Sequence, residues 1–351
     1  MKPIALITGI TGQDGSYLAE YLLEKDYEVH GIVPFRESNP YERLEKVKHR
    51  ITFHSGDLLD FSCLLRIVMH VNPDFIFHLA ALTRVGESFD QPSVYLQVNA
   101  QGTLNLLEIL RQYEQHIRPD RKEGIRFYNA CSSEMFGSGQ LLSETSPTKP
   151  NSPYAISKLY AFHVARMYRE AYNLQIWNGI MFNHESPRRG EYFVTQKVVK
   201  AAVQQKIDLG AGRTPTPLIL GEFTFRNWTH AEEMIPYMVE MLIGEENSLA
   251  PADDYILGTN TMWSVRAFVH KVYKTLAIPL VWEGRFPSSR ASFEGHLLVA
   301  QSYVNYRPLD VKVLSANSSR AREAFKFDPK LNLDDIVADM VAEELCRHVD
   351  K

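Results

Sequence analysis

The amino-acid sequence predicts an α/β fold in which a doubly wound parallel sheet is followed by a smaller C-terminal α/β lobe. Two observations predict it. Short apolar segments alternate with helical patterns through the first half of the chain, as in successive βαβ units. A triplet of glycines stands directly after the first apolar segment, where the first helical pattern begins. This combination is typical of a Rossmann-like domain.

The elements of the first half follow from this alternation. Five apolar segments predict buried parallel strands, at residues 4–7, 27–33, 51–54, 75–79 and 125–129. The helical patterns between them cover residues 15–25, 63–70 and 95–113.

The second half is less regular, and we expect loops and short elements there. The prolines that interrupt it are Pro187, Pro215, Pro217, Pro236 and Pro251. Helical patterns return at residues 265–276 and 333–348. We therefore expect a smaller lobe that packs over the end of the sheet, with part of residues 228–262 returning to the sheet.

Composition narrows the class of protein. The chain has 351 residues, of which 45% are hydrophobic and 23% charged, so a wholly disordered chain is excluded. Its 38 basic and 42 acidic side chains give a net charge of −4. We therefore expect no nucleic-acid binding through the overall field, and any anionic ligand needs local basic groups.

Three scattered cysteines are too few for a disulfide framework or a zinc site: Cys63, Cys131 and Cys346. No apolar stretch approaches the ~18 residues of a membrane span, and the start of the chain runs directly into the first strand. We expect a cytoplasmic protein with reduced thiols, no membrane partner and no metal.

The glycine loop predicts a dinucleotide site. Gly9, Gly12 and Gly15 allow a tight turn, a close backbone approach to a pyrophosphate and close helix–strand packing. The helix start supplies free N–H groups for the same anion. The other members of the predicted loop site are Thr11, Gln13 and Asp14.

The end of the second strand bears on which dinucleotide binds. An NAD site usually has an acidic residue there, whereas this chain reads Val33-Pro34-Phe35-Arg36. Arg36 can pair with a 2′-phosphate, so we predict NADP, with NAD as the open alternative. Asp57 and Leu58, after the third strand, are placed to contact the adenine.

A tyrosine and a lysine predict acid–base chemistry. Tyr154 and Lys158 lie four residues apart at the start of a helical pattern and so share one face. A nearby ammonium lowers the pKa of a phenol, and we expect Lys158 to act on Tyr154 in this way. Ser132 and Glu134 follow the strand at 125–129, at the edge where open α/β sheets bind ligands.

These residues carry a family resemblance. The chain resembles the extended short-chain dehydrogenases/reductases, and among them the GDP-mannose 4,6-dehydratase family, over nearly its whole length. The most specific stretches are residues 6–20, 152–161, 178–190 and 303–311.

The resemblance implies roles for further residues. It implies catalytic Ser132, Glu134, Tyr154 and Lys158, with Ser132 at a position where the family has threonine. The cofactor residues that it adds are Leu79, Ala80, Tyr95, His184 and Arg189, beside Tyr154 and Lys158. The substrate residues that it implies are Ser88, Ser133, Asn183, Val194, Lys197, Arg226 and Arg307.

The chain also departs from the family. Pro34 and Phe35 replace paired arginines after the second strand, the stretch Leu82-Thr83-Arg84 replaces Gln-Ser-His, and Asn227 replaces Asp. We expect a dinucleotide-binding domain over residues 1–180 and a nucleotide-sugar-binding lobe over residues 181–351, in a homo-oligomer that is a dimer or a tetramer.

The residues suit one reaction sequence. Hydride leaves C4 of a hexose for the nicotinamide while Tyr154 takes the hydroxyl proton, Glu134 removes the C5 proton, water leaves from C6, and the hydride returns to C6. By resemblance GDP-D-mannose gives GDP-4-keto-6-deoxy-D-mannose. Three alternatives stay open: a GDP-manno-heptose as substrate, a 4-epimerase, which needs no C5 base, and a non-catalytic nucleotide-binding protein.

Overall fold

A computed structural model of the chain describes residues 2–35, 41–117, 124–244, 251–303 and 309–349. The strands in these ranges are β1 (Ile4–Thr8), β2 (Glu28–Val33), β3 (Ile51–Ser55), β4 (Phe75–His78), β5 (Arg126–Ser132), β6 (Gly139–Leu142), β7 (Ile176–Met181), β8 (His184–Glu185), β9 (Leu218–Leu220), β10 (Phe225–Arg226), β11 (Thr229–His230), β12 (Asp254–Leu257), β13 (Trp263–Ser264), β14 (Val281–Glu283), β15 (Arg290–Phe293), β16 (His296–Gln301) and β17 (Leu314–Ala316).

The α-helices in the same ranges are α1 (Gln13–Glu24), α2 (Phe61–Val71), α3 (Pro92–Tyr95), α4 (Gly102–Gln112), α5 (Pro153–Tyr172), α6 (Val194–Gly210), α7 (Ala231–Ile243), α8 (Val265–Thr275), α9 (Ser319–Phe325) and α10 (Leu333–Val349). Short 3-10 turns lie at Glu42–Leu44, Lys48–Arg50, Glu87–Phe89 and Ser133–Phe136. Two π-helical segments lie at Leu96–Gln101 and Tyr113–Ile117.

The central sheet has seven strands in the order β12-β7-β5-β4-β1-β2-β3, and all of its pairs are parallel. The chain builds outward from β1 to β3 and then from β4 to β12 on the other side. The strand order therefore reverses between β1 and β4, which is where open α/β sheets bind ligands. The predicted doubly wound α/β fold is confirmed.

Successive side chains of a strand point to opposite faces of the sheet, and apolar residues at successive positions therefore form a hydrophobic core on each face. In β1, Ala5 and Ile7 point into a core shared with α1, α7 and α9, whereas Leu6 points into a core shared with α2, α4 and α5. The strand β12 is the outermost member of the sheet on the β7 side. The segment 228–262 thus contributes a strand to the large sheet and the helix α7 to one of its faces.

The smaller lobe has its own core. A four-stranded sheet in the order β14-β15-β16-β9 is antiparallel except for the parallel β16–β9 pair. The helices α6, α8 and α10 share a hydrophobic cluster with its strands.

Three expectations differ from the structure. The helix predicted over 95–113 is divided, because a π-helical segment lies between α3 and α4. Pro236 lies inside α7 and not in a loop. The helix α6 was not predicted, because the sequence pattern beyond Ile180 is irregular. Its buried residues include Val198, Val199, Ala202 and Val203.

In the described part of the chain, none of the helices is long and apolar enough to cross a membrane. The same residues contain no group of three or more His, Cys, Asp or Glu placed to hold a metal ion.

Candidate active site

A cavity of about 850 Å³ lies between the lobes, at the carboxyl ends of β4, β5 and β7. The smaller lobe closes it with residues of α6, β9 and β10. It brings together thirteen of the predicted site residues: Asp14, Leu79, Ser132, Ser133, Glu134, Tyr154, Lys158, Asn183, His184, Arg189, Val194, Lys197 and Arg226.

Other predicted residues lie behind the cavity wall. Ser88 is fully buried, and its hydroxyl donates to the Val85 carbonyl at 2.6 Å. Tyr95 packs edge-to-face on Tyr154, with ring centroids 6.5 Å apart. The other predicted residues that do not line the cavity are Gly9, Thr11, Gly12, Gln13, Gly15, Asp57, Leu58 and Ala80. Arg36 and Arg307 lie outside the described residues.

The glycine loop leaves no room for a Cβ atom at Gly9 and Gly15. Gly9 has φ +72°, and a Cβ there would lie 2.7 Å from the Ala80 nitrogen. A Cβ on Gly15 would overlap the Gly9 carbonyl. Gly12, at the N-cap of α1, has no side chain that could accept a hydrogen bond from the first turn. The N–H groups of that turn are therefore available to a ligand. The loop therefore fits the diphosphate of a dinucleotide.

The helix α5 positions the Tyr/Lys pair. Ser152 caps this helix by accepting a hydrogen bond from the Ala155 amide at 3.0 Å, and Pro153 occupies its first position. Tyr154 and Lys158 are both buried. Tyr154 hydrogen-bonds Ser132, and the Lys158 ammonium donates to the Ala130 carbonyl at 2.7 Å.

The electrostatics of this pair differ from the expectation. Burial above all, against the lowering effect of the Ser132 hydrogen bond and with a contribution of the Glu134 charge, raises the pKa of Tyr154 to about 12. Burial also lowers the pKa of Lys158. The pKa of Tyr154 thus lies above and not below its ordinary value, because the desolvation of the phenolate dominates. The lowering effect expected of Lys158 stays a prediction.

A largely buried ion pair, in which Asp14 keeps some exposure, joins the cofactor loop to β8. His184 Nε2 lies 3.0 and 2.9 Å from the two Asp14 oxygens, and Nδ1 lies 2.7 Å from the Phe182 carbonyl oxygen. The Asp14 carboxylate raises the pKa of His184 against the effect of burial, and His184 in turn lowers the pKa of Asp14. Gln13 strengthens the link by accepting from Ser186 at 2.9 Å.

A second buried carboxylate was not singled out from the sequence. Glu185 lines the cavity, accepts from the Thr195 hydroxyl at 2.5 Å and lies 3.1 Å from Arg189 Nε. That Nε is poorly aligned for a hydrogen bond, so the contact is an ion pair. The Arg189 guanidinium also stacks on Phe193, 3.6 Å from the ring centroid. The stretch 178–190, singled out for its resemblance, contains this residue.

Polar groups of the smaller lobe complete the cavity. Arg226 is buried, donates to the Val311 carbonyl at 2.7 Å and lies 3.3 Å from an Asp310 carboxylate oxygen. Lys197 lies on the first turn of α6. The Asn183 side-chain oxygen is buried and accepts no hydrogen bond from a described residue. It is therefore available to a hydroxyl or amide donor of a ligand.

The cavity rim has residues without a predicted role. Arg84, which the sequence marks only as a departure from the family, stacks on Tyr192 across the cavity, with its guanidinium carbon 3.3 Å from the ring centroid. Thr83, Glu87 and Trp228 also line it. No local pattern identifies them, because their nearness to the site depends on loops that come from different parts of the chain.

A doubly wound sheet with a glycine loop and a buried Ser/Tyr/Lys set at its carboxyl edge defines a dinucleotide-binding α/β protein. Comparison with solved structures agrees with this fold. The similar structures include a dTDP-glucose 4,6-dehydratase from Streptomyces venezuelae, with a TM-score of 0.78, 24% identity and coverage of 99% of this chain and 98% of that one. They also include a UDP-glucose 4-epimerase from Thermotoga maritima, with a TM-score of 0.78, 18% identity and coverage of 99% and 100%.

The chain belongs to the GDP-mannose 4,6-dehydratase family, whose model matches residues 6–340. Three similar relatives are named as members. GDP-mannose 4,6 dehydratase 2 of Caenorhabditis elegans is 38% identical, with 98% of this chain and 89% of the relative covered. The Homo sapiens protein is 38% identical, with coverage of 97% and 91%. The Vibrio cholerae protein is 37% identical, with coverage of 98% and 94%.

Proposed function

We propose that the protein is a hydro-lyase that converts GDP-D-mannose to GDP-4-keto-6-deoxy-D-mannose. The observation that carries the proposal is Glu134, a buried carboxylate that lines the same cavity as the Ser132–Tyr154–Lys158 set. The set provides for oxidation at C4, and the carboxylate provides for elimination across C5 and C6. The family membership and the names of the relatives support the same activity.

A nicotinamide dinucleotide fits the glycine loop, and when bound it accepts the hydride of C4, carries a positive charge while oxidised, and returns the hydride to C6. The residues that we propose to hold it are Gly9, Thr11, Gly12, Gln13, Asp14, Gly15, Arg36, Asp57, Leu58, Leu79, Ala80, Tyr95, Tyr154, Lys158, His184 and Arg189. Most of them lie on the loop, around the switch point or in the cavity wall. Tyr95 and Ala80 contribute through packing and the backbone.

The side chains divide the proton transfers. Tyr154 accepts the proton of the C4 hydroxyl, with Ser132 bonded to it and Lys158 fixed by Ala130. The C4 ketone acidifies the C5 hydrogen, which Glu134 removes as a proton. The same carboxyl group then gives this proton to the hydroxyl that leaves C6 as water. After the hydride returns to C6, the proton that Tyr154 took from the C4 hydroxyl balances the reprotonation of C5.

We propose that a dinucleotide-binding domain over residues 1–180 and a lobe over residues 181–351 divide the ligands between them. Lys197, Arg226 and Arg307 are the residues that we propose to bind the nucleotide diphosphate, because guanidinium and ammonium groups suit phosphate oxygens in a chain of net charge −4. The other proposed substrate contacts are Ser88, Ser133, Asn183 and Val194. Ser88 acts by fixing the Val85 backbone.

We propose NADP as the cofactor. The end of β2 carries no acidic residue through Phe35, so the carboxylate that usually holds the ribose hydroxyls of NAD is missing there. Titration of the protein with each dinucleotide measures the preference. NADP binding that is weakened about tenfold or more by Arg36→Ala, with NAD binding unchanged, is the expected result, and an equal loss for both contradicts it.

We also propose a cytoplasmic homo-oligomer. The three cysteines are unpaired thiols, as in reducing compartments. Ile156, Tyr160 and Met167 on α5 form an exposed apolar stripe at helical spacing, and exposed Leu96 lies on the segment that contacts this helix. A second copy of the chain is the occupant that we propose, as a dimer or a tetramer. Sedimentation of the wild type and of Tyr160→Glu tests it.

A second candidate substrate is a GDP-manno-heptose. Arg84 lines the cavity where the family has histidine, so the sugar end of the cavity is altered. Incubation with each sugar nucleotide and measurement of the alkali-induced absorbance of a 4-keto product tests both. GDP-mannose is expected to be converted, and the absence of a 4-keto product from both sugars contradicts the proposed function.

A further inference from the structure

The Arg84–Tyr192 stack connects the two lobes across the cavity. Arg84 lies in the loop after β4, and Tyr192 lies two residues before α6. Both residues line the cavity, and the guanidinium carbon is 3.3 Å from the ring centroid. A planar guanidinium stacked on an aromatic ring has a fixed orientation and keeps its N–H groups in the plane of the stack.

The loop that carries Arg84 is held against the catalytic helix. Asn99 binds both the amide and the carbonyl of Leu82, at 2.8 and 3.0 Å. The Tyr95 hydroxyl lies 2.9 Å from the Arg84 carbonyl oxygen and 3.1 Å from Glu87 Oε2, and the Tyr95 ring packs on Tyr154. The backbone of Arg84 is therefore fixed relative to the proposed base.

The Arg84 guanidinium has N–H donors that the described residues do not use. Its Nη1 lies 3.7 Å from Glu87 Oε2, an ion pair that is too long for a hydrogen bond. No described residue accepts a hydrogen bond from the Arg84 side chain, which is 43% exposed. Arginine has five N–H donors, so several are available to a ligand in the cavity.

The position of Arg84 in the fold indicates which part of a bound sugar it would contact. Strands β4 and β5 are neighbours, with His78 paired to Asn129, so the loops that follow them start side by side. Ser132 is the last residue of β5 and Glu134 lies in the turn after it, and these two residues act at C4 and C5 in the proposed reaction. In the proposed function the diphosphate extends to Lys197 and Arg226, which line the cavity from the smaller lobe. The exocyclic carbon follows directly on C5, where Glu134 acts, and we assign it to the β4 loop beside the Glu134 turn.

We propose that Arg84 is a specificity-determining residue that donates hydrogen bonds to the exocyclic oxygens of the bound sugar, with Tyr192 holding its guanidinium plane. The inference rests on the proposed nucleotide-sugar function. It gives the ligand a defined chemistry at this point: a hydroxylated carbon chain at C5, for which the neighbouring Glu87 is an acceptor and Arg84 the donor.

The test measures dissociation constants of GDP-mannose, a GDP-manno-heptose and GDP on the protein loaded with the reduced dinucleotide, which cannot accept the C4 hydride, so the sugars are not converted during the measurement. Arg84→Ala is expected to weaken both sugar nucleotides about tenfold or more, the heptose most, and to leave GDP unchanged. Tyr192→Ala is expected to give a smaller loss of the same kind. The double variant is expected to lose less than the sum, because both residues act through one stack.

The matched control is Arg111→Ala. Arg111 also pairs with a glutamate three residues away, Glu108, and lies over a tyrosine ring, Tyr172, but it does not line the cavity. It is expected to leave all three dissociation constants unchanged. Unchanged binding of both sugars by Arg84→Ala overturns the inference, and so does an equal loss for GDP, which would place Arg84 on the nucleotide. These outcomes are independent of catalysis, whereas the absence of a 4-keto product overturns the proposed function alone.

Discussion

Asp14 and His184 form a largely buried ion pair in which both imidazole nitrogens act as donors. Nδ1 faces a backbone carbonyl and Nε2 faces a carboxylate, and neither partner can donate a hydrogen unless Asp14 is protonated. The raised pKa of His184 and the lowered pKa of Asp14 agree with an imidazolium–carboxylate pair. The pair joins the first turn of α1 to β8, so it fixes the cofactor loop against the segment that carries Asn183 and Arg189.

This pair predicts a window in the pH dependence of stability. The His184 contribution is present below its ordinary pKa of 6.5 and is lost as pH rises through its raised pKa; the Asp14 contribution is present above 3.8 and is lost as pH falls through its lowered pKa. The unfolding free energy of His184→Gln is therefore expected to differ most from that of the wild type between those values. Denaturant titrations at several pH values measure this, with exposed His270→Gln as control. A difference that does not shrink at alkaline pH contradicts the pair.

Replacement of the proposed C5 base separates the two halves of the reaction. Glu134→Gln keeps the shape of the side chain but cannot take a proton, so we expect formation of the 4-keto-6-deoxy product to fall about 10²–10⁴-fold. Oxidation at C4 does not need this group, and transient cofactor reduction is expected to persist in stopped-flow absorbance. Glu222→Gln, a cavity carboxylate bound to Lys312, is the control. Undiminished dehydration by Glu134→Gln excludes the assigned role.

The hydroxyl at position 132 opposes the effect of burial on the pKa of Tyr154. Its hydrogen bond lowers the pKa of Tyr154, so Ser132→Ala is expected to raise that pKa and to move the ascending limb of the kcat profile to higher pH, with kcat about 10–100-fold lower at neutral pH. Ser132→Thr keeps the hydroxyl and is expected to rescue both the rate and the profile. An unshifted profile for Ser132→Ala would show that the Ser132–Tyr154 contact does not act in catalysis.

The glycine loop predicts a packing penalty at one position. Gly15→Ala places a methyl group against the Gly9 carbonyl, so we expect a loss of about 1–3 kcal/mol in unfolding free energy and weaker dinucleotide binding. Gly210, in α6, has nothing within 4 Å of an added Cβ, and Gly210→Ala is expected to be neutral or slightly stabilising. Thermal unfolding and dinucleotide titration of the two variants measure the difference. Equal behaviour contradicts the close approach in the loop.

The parallel sheet could be predicted because its elements are local. The five strands predicted in the first half are confirmed as β1 to β5, and the helices at 15–25 and 63–70 as α1 and α2. Each of these elements is a short segment, and the apolar pattern of its own residues is enough to predict that it is buried. Pro236 was misjudged because a proline inside a helix removes a backbone hydrogen bond but does not end the helix when its apolar face is well buried, as that of α7 is by Met234 and Met238.

The site was predictable where residues stand close together in the chain and unpredictable where they do not. The spacing of Tyr154 and Lys158, and the position of Ser132 and Glu134 after a strand, identify groups that line one cavity. No local sequence pattern predicts the contact of Glu185 with Thr195 or that of Arg84 with Tyr192. In each pair the two residues are separated by loop segments whose conformation the sequence does not predict.

The sequence by itself determined the class of this protein: a parallel sheet, a glycine loop at its first turn and an acid–base set in a chain of net charge −4. Only the tertiary structure decided the electrostatics of that set. Burial raises the Tyr154 pKa and Ala130 binds the Lys158 ammonium, whereas Asp14, 170 residues away in the chain, raises the pKa of His184. The physical reason is that a pKa depends on desolvation and on charges a few ångströms distant, and both are set by which parts of the chain the fold brings together.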